Sequence, residues 1–526
     1  MSYRKSHTVD ENVERGEKRN DGAAQEARLS VLRTVSIVQW YRSDTVADPG
    51  IHSIGVSVLT TALPVVCYAL TLFCNDISGC PVPSLLHPST FSWERLKEDV
   101  GYQGISTFFN FKSLAAVIGW FTFNLIQEAF LPAPIVEGTK LVSGGKLKYR
   151  MNAFNSALST LALAGAGTLI YGAEFPVWTF IWDNYIPILT ASQLIAFSLA
   201  CSVYYHSFSV HPGNTSMREL AAGGRTGNLI YDWFIGRELN PRIQLPIFGE
   251  VDIKLFMEIR PGLVGWLLLD FAFVAHQYRT HGLVTDSMLL ATAFHSSYVF
   301  DALWNEPAIL TTIDITTDGF GFMLAFGDLV WVPFVYCLQA RYLAMHPLSL
   351  GPYGVAAVLA LQALGYSVFR LSNNEKNRFR SDPDSPQVAH LEYIETAAGS
   401  RLLTSGWWGT ARHINYTADW IMSWAWCLTT GLAGFVVQYS SPSSAGFGER
   451  SPADGSIFGG QPVTKRIVPG DAKGYGMIFG YFYMIYFGVL LVHREMRDEE
   501  KCAGKYGSDW ERYKQKVRYR LIPGIY

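Results

Sequence analysis

The chain has 526 residues, of which 49% are hydrophobic and 14% aromatic, while only 16% carry a charge. A soluble chain of this size carries charge on about a quarter of its residues, so this composition excludes an ordinary soluble globular protein. The net charge of −2 and the isoelectric point of about 6.6 also exclude the basic surface that binds nucleic acid. We expect no DNA or RNA partner.

The first segment of the chain is polar. Residues 1–50 hold eight basic and eight acidic side chains, a mixed-charge composition typical of a disordered arm. No signal peptide is visible before the first apolar run, which begins near residue 53. We therefore predict a cytosolic arm over residues 1–50 and a membrane domain over residues 51–526, whose first helix directs insertion.

Ten segments have the length and apolar character of membrane helices, which need about 20 residues. Six are uncharged and cover residues 53–74, 151–173, 184–205, 342–369, 420–437 and 474–492. Four more are apolar but contain acidic residues, and they lie near residues 106–130, 261–279, 282–303 and 319–340. The predicted fold class is an all-α integral membrane protein with about ten transmembrane helices.

The distribution of charge predicts the orientation in the membrane. An even number of helices places both termini on one side, and nine Lys and Arg residues follow closely after the last predicted helix. Such residues mark the cytosolic side, so both termini are predicted to be cytosolic. The acceptor sequence Asn214-Thr215-Ser216 would then stay unmodified. Residues 439–472, rich in Ser, Gly and Pro, predict an inserted loop before the last helix.

Seven cysteines are too few for a disulfide scaffold in a chain of this length. Four of them lie within apolar runs, and only Cys74 and Cys80 are placed so that they could pair. No Cys and His spacing indicates a metal site.

Ionisable residues are concentrated between positions 270 and 330. The group comprises Asp270, Asp286, His295, Asp301, Glu306, Asp314, Asp318 and Asp328. Ionisable groups are costly within a membrane, so each needs a partner or a function. Together they predict a polar pocket within the bilayer, although each one alone is equally consistent with a helix cap or an interhelical hydrogen bond.

Three polar and aromatic segments fall at helix ends on the predicted cytosolic side. They are KNRFR at 376–380, SGWWGTARHINYTADW at 405–420 and HREMRDEEKCAGKYGSDWERY at 493–513. Two spaced cations can hold phosphate, paired tryptophans can stack on a flat ring, and glycines permit close backbone approach. The combination indicates a nucleotide pocket; the alternative is a belt of aromatic and basic residues that anchors helices to lipid headgroups.

The segments LLTSGWWGTARHINYTADW and LLVHREMRDEEKCAGKYGSDWERYKQKVRYRLIPGIY resemble the C-terminal signatures of the sterol reductase family. This family includes sterol C-14, C-7 and C-24(28) reductases and the membrane part of the lamin B receptor. Upstream, GNLIYDWFIGRELNPRI and FMEIRPGLVGWLLLD look most like the C-14 branch. The resemblance covers about residues 60–526. It implies a ten-helix sterol reductase-type bundle in the endoplasmic reticulum and NADPH-dependent reduction of a sterol 14,15 double bond in ergosterol biosynthesis.

The resemblance also implies where the cofactor lies. NADPH would sit among the C-terminal helices and open to the cytosol, so residues 346–526 form the cofactor half and residues 51–345 largely the sterol half. Lys376 and Arg380 would hold phosphate of the adenosine part, and Trp407 would pack on the cofactor. The other positions that match cofactor contacts are His413, Asn415, Tyr416, Arg494, Asp498 and Tyr506.

The chemistry constrains the catalytic residues. An isolated carbon–carbon double bond is a poor hydride acceptor, so it must be protonated as the hydride arrives; the resemblance places the proton on carbon 15 and the hydride on carbon 14. The site needs an acid and a dry apolar surround. Tyr298, within YVFDALWNE, is a candidate donor, alone or as a relay from Asp301 or Glu306. A tyrosine has an ordinary pKa of about 10, and a protonated buried carboxyl is better suited, so the sequence leaves the donor open.

The chain departs from the family pattern at two positions, because it has RHINYTAD where the family usually shows RHPNYLGD. Ile414 replaces the proline and Ala418 the glycine, which implies an intact pocket with a slightly altered turn.

Three alternatives to a C-14 reductase follow from the same segments. A C-7 or C-24(28) sterol reductase would share the fold. An isoprenylcysteine-type membrane methyltransferase would be much shorter and would lack the upstream motifs. A scaffold like the lamin B receptor would need a large basic domain, which the balanced charges of residues 1–50 do not supply. The expected partners are a sterol with a 14,15 double bond, membrane lipid and other sterol-biosynthetic enzymes.

Overall fold

A computed structural model describes residues 49–210, 217–431, 435–440, 464–469 and 477–526. Within these residues, a long helix covers all or most of nine of the ten predicted segments and about half of the segment 420–437. In chain order the helices are α1 (Pro49–Leu72), α2 (Phe111–Phe130), α3 (Ala153–Tyr171), α4 (Tyr185–Ser207), α5 (Ile253–His281), α6 (Asp286–Trp304), α7 (Phe322–Met345), α8 (Gly351–Ser381), α9 (Ile414–Leu428) and α10 (Met477–Tyr506). Nearly all of the predicted N-terminal arm lies outside the described residues.

Seven of the described helices, α1 to α5 together with α7 and α8, are long and apolar enough to cross a membrane. The chain is therefore a multi-pass membrane protein, and the predicted all-α fold class is confirmed. Helices α5 and α7 form the centre of the bundle, because 72% of the apolar window of each is buried, compared with 11% for α8. The peripheral helices leave most of their apolar surface for lipid.

Short elements fill the connections between these helices. The short helices are Pro83–Leu86, Pro88–Thr90, Trp93–Asp99, Ile105–Thr107, Gly172–Glu174, Pro176–Asp183, Leu229–Ile235, Glu306–Ile309, Ile313–Thr316, Trp407–Thr410 and Ser508–Lys516. Four antiparallel hairpins pair β1 (Ile135–Lys140) with β2 (Lys146–Arg150), β3 (Arg242–Leu245) with β4 (Gly249–Asp252), β5 (Tyr393–Glu395) with β6 (Arg401–Leu403), and β7 (Phe435–Ser440) with β8 (Thr464–Pro469).

The predicted helix over residues 420–437 is wrong at its C-terminal end. Helix α9 stops at Leu428, where the hydroxyls of Thr429 and Thr430 donate to the carbonyls of the residues three positions before them. Gly431 follows with a φ of +89°, a conformation that ends a helix at low cost only for glycine. Strands β7 and β8 also occupy parts of the predicted loop 439–472, and the rest of that loop lies outside the described residues.

The predicted uninterrupted helix over residues 342–369 is broken between Met345 and Gly351. The carboxylate of Asp286 accepts hydrogen bonds from the backbone N–H groups of Leu350 and Gly351 at 2.9 and 2.8 Å. Pro347 follows the end of α7, and proline disfavours continuation of the preceding helical turn. Asp286 therefore stabilises the start of α8, where a negative charge is favourable.

Two π-helical turns meet at the centre of the bundle. They are Glu258–Gly262 in α5 and Gly327–Trp331 in α7. A Cβ atom at Gly262 would lie 2.6 Å from the carbonyl oxygen of Asp328, so the two backbones touch. Turns of this kind are frequent at functional sites.

A crossing of backbones at Gly236 fixes the segment that leads into α7. A Cβ atom at Gly236, which has a φ of +96°, would lie 2.3 to 2.5 Å from backbone atoms of Gly319, Phe320 and Gly321. A Cβ atom at Gly319 would lie 1.9 Å from the carbonyl oxygen of Gly236. The crossing holds the helix Leu229–Ile235 against the connection that carries Asp314.

Cys74 and Cys80 form a disulfide, which settles the pairing that the sequence left open. The loop that contains it is attached to the bundle by Arg341 of α7. The buried guanidinium of Arg341 donates to the carbonyl oxygens of Cys74 and Thr71 at 2.8 and 3.2 Å.

Candidate active site

The ionisable residues between positions 270 and 330 do not all lie together, so the predicted single pocket is wrong for the group as a whole. Asp286 and Asp301 lie near opposite ends of α6, about 22 Å apart along its axis, whereas the backbone carbonyls of Asp314 and Asp318 both accept from Lys254. Most members have a separate partner instead. The ion pairs are Asp270 with His295 at 2.9 Å, Asp314 with Arg494 at 3.2 Å and Asp318 with Arg497 at 2.8 Å.

Two cations on α8 form the outer end of the candidate site. Lys376 and Arg380 lie one turn apart, and neither has an ion-pair partner within the part of the chain that the structure describes. The ammonium group of Lys376 lies 3.6 Å from the ring centroid of Trp408, an attractive contact that does not neutralise its charge. Asp498 interacts electrostatically with Lys376 but forms no ion pair with it among the described residues, so the two cations at this spacing can still bind an anion such as phosphate.

The turn that contains Trp407 and Trp408 is attached to α8 by hydrogen bonds. Glu375 accepts a hydrogen bond from the backbone N–H of Trp407 at 2.9 Å, and the indole N–H of Trp408 donates to the carbonyl of Ser372 at 2.7 Å. Trp408 is buried and Trp407 half-buried. The sequence pointed to Trp407, whereas the structure places Trp408 beneath Lys376.

His413, Tyr416 and Asp498 lie together beside these cations. The hydroxyl of Tyr416 donates to Asp498 at 2.9 Å, the rings of His413 and Tyr416 stack 5.0 Å apart, and the His413 Nδ1 atom lies 4.0 Å from the Asp498 carboxylate. Burial, with the nearby charges of Lys376 and Arg412, lowers the pKa of His413 to about 3. The imidazole is therefore neutral at physiological pH and can accept or donate a hydrogen bond.

The buried polar atoms of this region that have no hydrogen-bond partner among the described residues include Nε2 of His413 and Oδ1 of Asn415. Buried polar atoms are normally paired, so these atoms have the character of ligand contacts. Together with Lys376 and Arg380, they fit a polyanionic cofactor that also offers hydrogen-bonding groups.

Tyr506 lies farther out, at the C-terminal end of α10. Its ring stacks on Trp510 with 6.1 Å between centroids, in a small apolar cluster that includes Ile394 and Tyr513. The ammonium group of Lys505 lies 5.0 Å from the ring centroid of Tyr506. The residue therefore belongs to the rim of the site.

Arg494 connects the cofactor residues to the interior of the bundle. Its guanidinium donates to Asp314 at 3.2 Å, and it also interacts electrostatically with Tyr416, Asp498 and Tyr298. Arg494 and Asp498 lie one turn apart on α10, as their spacing predicts. Arg494 therefore interacts electrostatically with members of both predicted groups of residues.

Tyr298 is the residue in the interior of the bundle with which Arg494 interacts. Its ring packs against Trp266 and Trp426, with centroids 6.0 and 5.4 Å away. The side chain is half-buried, and its hydroxyl forms no hydrogen bond with any residue that the structure describes. The hydroxyl is therefore available to a substrate.

Neither Asp301 nor Glu306 forms a hydrogen bond with Tyr298 among the described residues, although Asp301 lies one turn further along α6 and interacts electrostatically with Tyr298. Arg370 and the hydroxyl of Tyr366 both donate to Asp301. Glu306 accepts from the backbone N–H of Ala153 at 3.1 Å, and burial raises its pKa to about 7. The structure therefore places Asp301 near Tyr298 but gives both carboxyls hydrogen-bond partners other than Tyr298.

Asp419 also belongs to this region, although the sequence did not predict it as a site residue. It follows Tyr416 by three positions on α9, and it interacts electrostatically with Tyr298, Tyr416 and Tyr483. The spacing of Asp419 from Tyr416 indicated that both lie on one helix face. The sequence did not indicate that Asp419 would interact with Tyr298 of α6.

Comparison with known proteins identifies the family. The profile described as "Ergosterol biosynthesis ERG4/ERG24 family" matches residues 45–526. The chain belongs to this ERG4/ERG24 family. The predicted family is thereby confirmed, and the match extends far beyond the C-terminal part that a methyltransferase pattern would explain.

Curated fungal relatives of this ERG4/ERG24 chain carry one functional name. The chain is 55% identical to the Delta(14)-sterol reductase of Neurospora crassa over 475 residues, which is 90% of this chain and 95% of the relative. It is 55% identical to the Delta(14)-sterol reductase ERG24A of Gibberella zeae, over 90% and 96% of the two chains. Identity to the Delta(14)-sterol reductase erg24 of Schizosaccharomyces pombe is 44%, over 90% and 96%.

Proposed function

We propose that this chain is an NADPH-dependent delta(14)-sterol reductase that reduces the 14,15 double bond of a sterol in ergosterol biosynthesis. The observation that carries the proposal is the position of Arg494, which interacts electrostatically with Tyr416 and Asp498 of the cofactor group and also with Tyr298. A cofactor bound by the first group therefore reaches toward a substrate beside Tyr298. The names of the fungal relatives support carbon 14 over the C-7 and C-24(28) alternatives.

The cofactor is a reduced nicotinamide dinucleotide, and we infer that it is NADPH. Lys376 and Arg380 bind phosphate, His413 and Asn415 supply hydrogen bonds, and Trp407 packs on the cofactor. When bound, NADPH supplies the hydride. Tyr506, at the rim, makes an outer contact.

The protein's own residues control the proton and the surroundings of the double bond. Tyr298 donates its hydroxyl proton to carbon 15, with Asp301 and Glu306 kept as candidates for more distant proton supply. Trp266 and Trp426 exclude water, and their ring faces stabilise positive charge that develops at carbon 14.

Purified protein in detergent tests the proposal. It should convert a 14,15-unsaturated sterol to the 14,15-saturated product with consumption of NADPH. Conversion of only a C-7 or C-24(28) unsaturated sterol would replace the proposal by that alternative.

Substitution of the two cations should weaken cofactor binding. Lys376→Ala and Arg380→Ala each remove a charge-assisted phosphate contact worth about 1.5–3 kcal/mol, so each should raise the KM for NADPH about 10- to 100-fold. The matched control is Arg378→Ala, an exposed cation between them on another face of α8. Steady-state kinetics with NADPH measure the effect, and an unchanged KM in both variants would remove these residues from the cofactor site.

We also propose an endoplasmic reticulum location with both termini in the cytosol. The disulfide Cys74–Cys80 follows α1, and disulfides persist in oxidising compartments such as the lumen. A cytosolic N-terminus puts this loop in the lumen and puts Lys376 on the cytosolic side. Residues 51–345 then supply most of the sterol pocket and residues 346–526 the cofactor site. Association with other sterol-biosynthetic enzymes fits this location.

A further inference from the structure

Asp419 lies on the face of α9 that joins the cofactor residues to Tyr298. Residues 416, 419 and 426 lie within about 80° of one another around the helix, and Asp419 is about 4.5 Å from Tyr416 and about 10.5 Å from Trp426 along its axis. Tyr416 is bonded to Asp498 at one end, and Trp426 packs on Tyr298 at the other. Along α9, Asp419 therefore lies between the residue that contacts Asp498 and the residue that packs on Tyr298.

The carboxyl of Asp419 has no hydrogen bond or ion pair to any residue in the part of the chain that the structure describes. Its side chain is half-buried within the bundle, so it borders open space there. The charged and titratable groups that face it from the surrounding helices are Tyr298 of α6, Tyr336 of α7, Tyr416 of α9, and Tyr483 and Arg494 of α10.

Several other carboxyls near this site are already engaged. Asp301 is bound by Arg370, Asp314 by Arg494, and Asp498 by the hydroxyl of Tyr416. These three carboxyls therefore already have partners within the protein. Glu258 of α5 also interacts electrostatically with Tyr298 and with Arg494, but it lies on a different helix from Tyr416 and Trp426. Asp419 combines a carboxyl that has no hydrogen bond or ion pair among the described residues, an electrostatic interaction with Tyr298 and a position one turn from Tyr416 on the same helix.

We propose that Asp419 supplies the proton that Tyr298 delivers to the sterol. The Tyr298 O–H bond breaks as the C15–H bond forms, while the proton of Asp419 moves to the Tyr298 oxygen, so the tyrosine stays neutral. When bound, NADPH would supply the hydride for the C14–H bond and would leave as NADP⁺. Asp419 is left as a carboxylate that Arg494 stabilises, and solvent returns its proton. Because it acts through Tyr298, Asp419 is a positioning and proton-supplying residue. The inference rests on the proposed reductase function.

The test compares Asp419→Asn, Asp419→Glu and the exposed control Asp384→Asn in the full chain in detergent. The asparagine variant should lose about 100-fold or more in kcat, as expected for a lost acid, while the Kd for NADPH changes less than about threefold. The glutamate variant should recover part of the rate, and Asp384→Asn should match the parent protein. The rate of the parent protein should fall at alkaline pH, whereas the residual rate of Asp419→Asn should not.

A kcat of Asp419→Asn within about threefold of the parent would overturn the proposal, as would a parallel loss of NADPH binding or an alkaline decline that persists. If Asp419→Asn does not accumulate, the pH dependence of kcat for Asp419→Glu is the test. A decline of kcat at the same alkaline pH as in the parent protein would contradict the proposal. Failure of the parent to reduce any 14,15-unsaturated sterol would instead count against the proposed function, so the two failures are distinct.

Discussion

Gly236→Ala is expected to lower the free energy of unfolding by about 2–5 kcal/mol. The backbone at this position has a φ of +96°, which costs an L-residue about 1–2 kcal/mol. The added methyl group would also lie 2.3 Å from the backbone of Phe320, and overpacking costs about 1–3 kcal/mol. Backbone atoms cannot rotate away as a side chain can, so the crossing must open.

The adjacent glycine pair offers a matched control. A Cβ atom at Gly223 meets nothing within 4 Å, whereas one at Gly224 would lie 2.0 Å from the carbonyl oxygen of Gly236. Gly223→Ala should therefore melt like the parent protein, while Gly224→Ala and Gly236→Ala should melt at lower temperature and accumulate less in membranes. Thermal unfolding in detergent measures the difference. Equal melting temperatures for Gly223→Ala and Gly236→Ala would contradict the account of the crossing.

Tyr298→Phe is expected to reduce kcat for the sterol by about 10²- to 10⁴-fold, the range for a lost general acid. The variant keeps the ring that packs on Trp266 and Trp426 and removes only a hydroxyl with no hydrogen-bond partner among the described residues. Stability and NADPH binding should therefore be nearly unchanged.

The control for this hydroxyl is Tyr353→Phe, on the exposed surface of α8. Initial rates of sterol reduction and titration of NADPH binding separate chemistry from affinity. Retention of the parent's kcat by Tyr298→Phe would exclude this hydroxyl as the donor.

The sequence predicted the helices well because their signal is local. A run of about 20 apolar residues is sufficient to define a membrane helix, and α1, α3 and α4 appear where such runs occur. The break before Gly351 was missed because the carboxylate that stabilises it belongs to Asp286, 65 positions earlier. The early end of α9 depended on side-chain bonds of Thr429 and Thr430, which an apolar pattern does not reveal.

The candidate site was predictable where residues are close in sequence and not where they meet across helices. The spacing of Lys376 and Arg380 on one helix indicated a phosphate site, and neither cation forms an ion pair among the residues that the structure describes. The acidic residues between 270 and 330 are close in sequence but lie on different faces and at different depths. Asp419, on a helix more than 100 positions away from Tyr298, interacts with Tyr298 although no local pattern connects the two.

Isotope labelling measures whether the residues from Lys376 to Tyr298 form one reductase site. The purified protein is given a 14,15-unsaturated sterol and NADPH that carries deuterium at the transferable position of its nicotinamide, first in ordinary water and then, with unlabelled NADPH, in heavy water. The account predicts deuterium at carbon 14 in the first product and at carbon 15 in the second. Deuterium at carbon 14 that comes from solvent, or a product with no label from the cofactor, would contradict it.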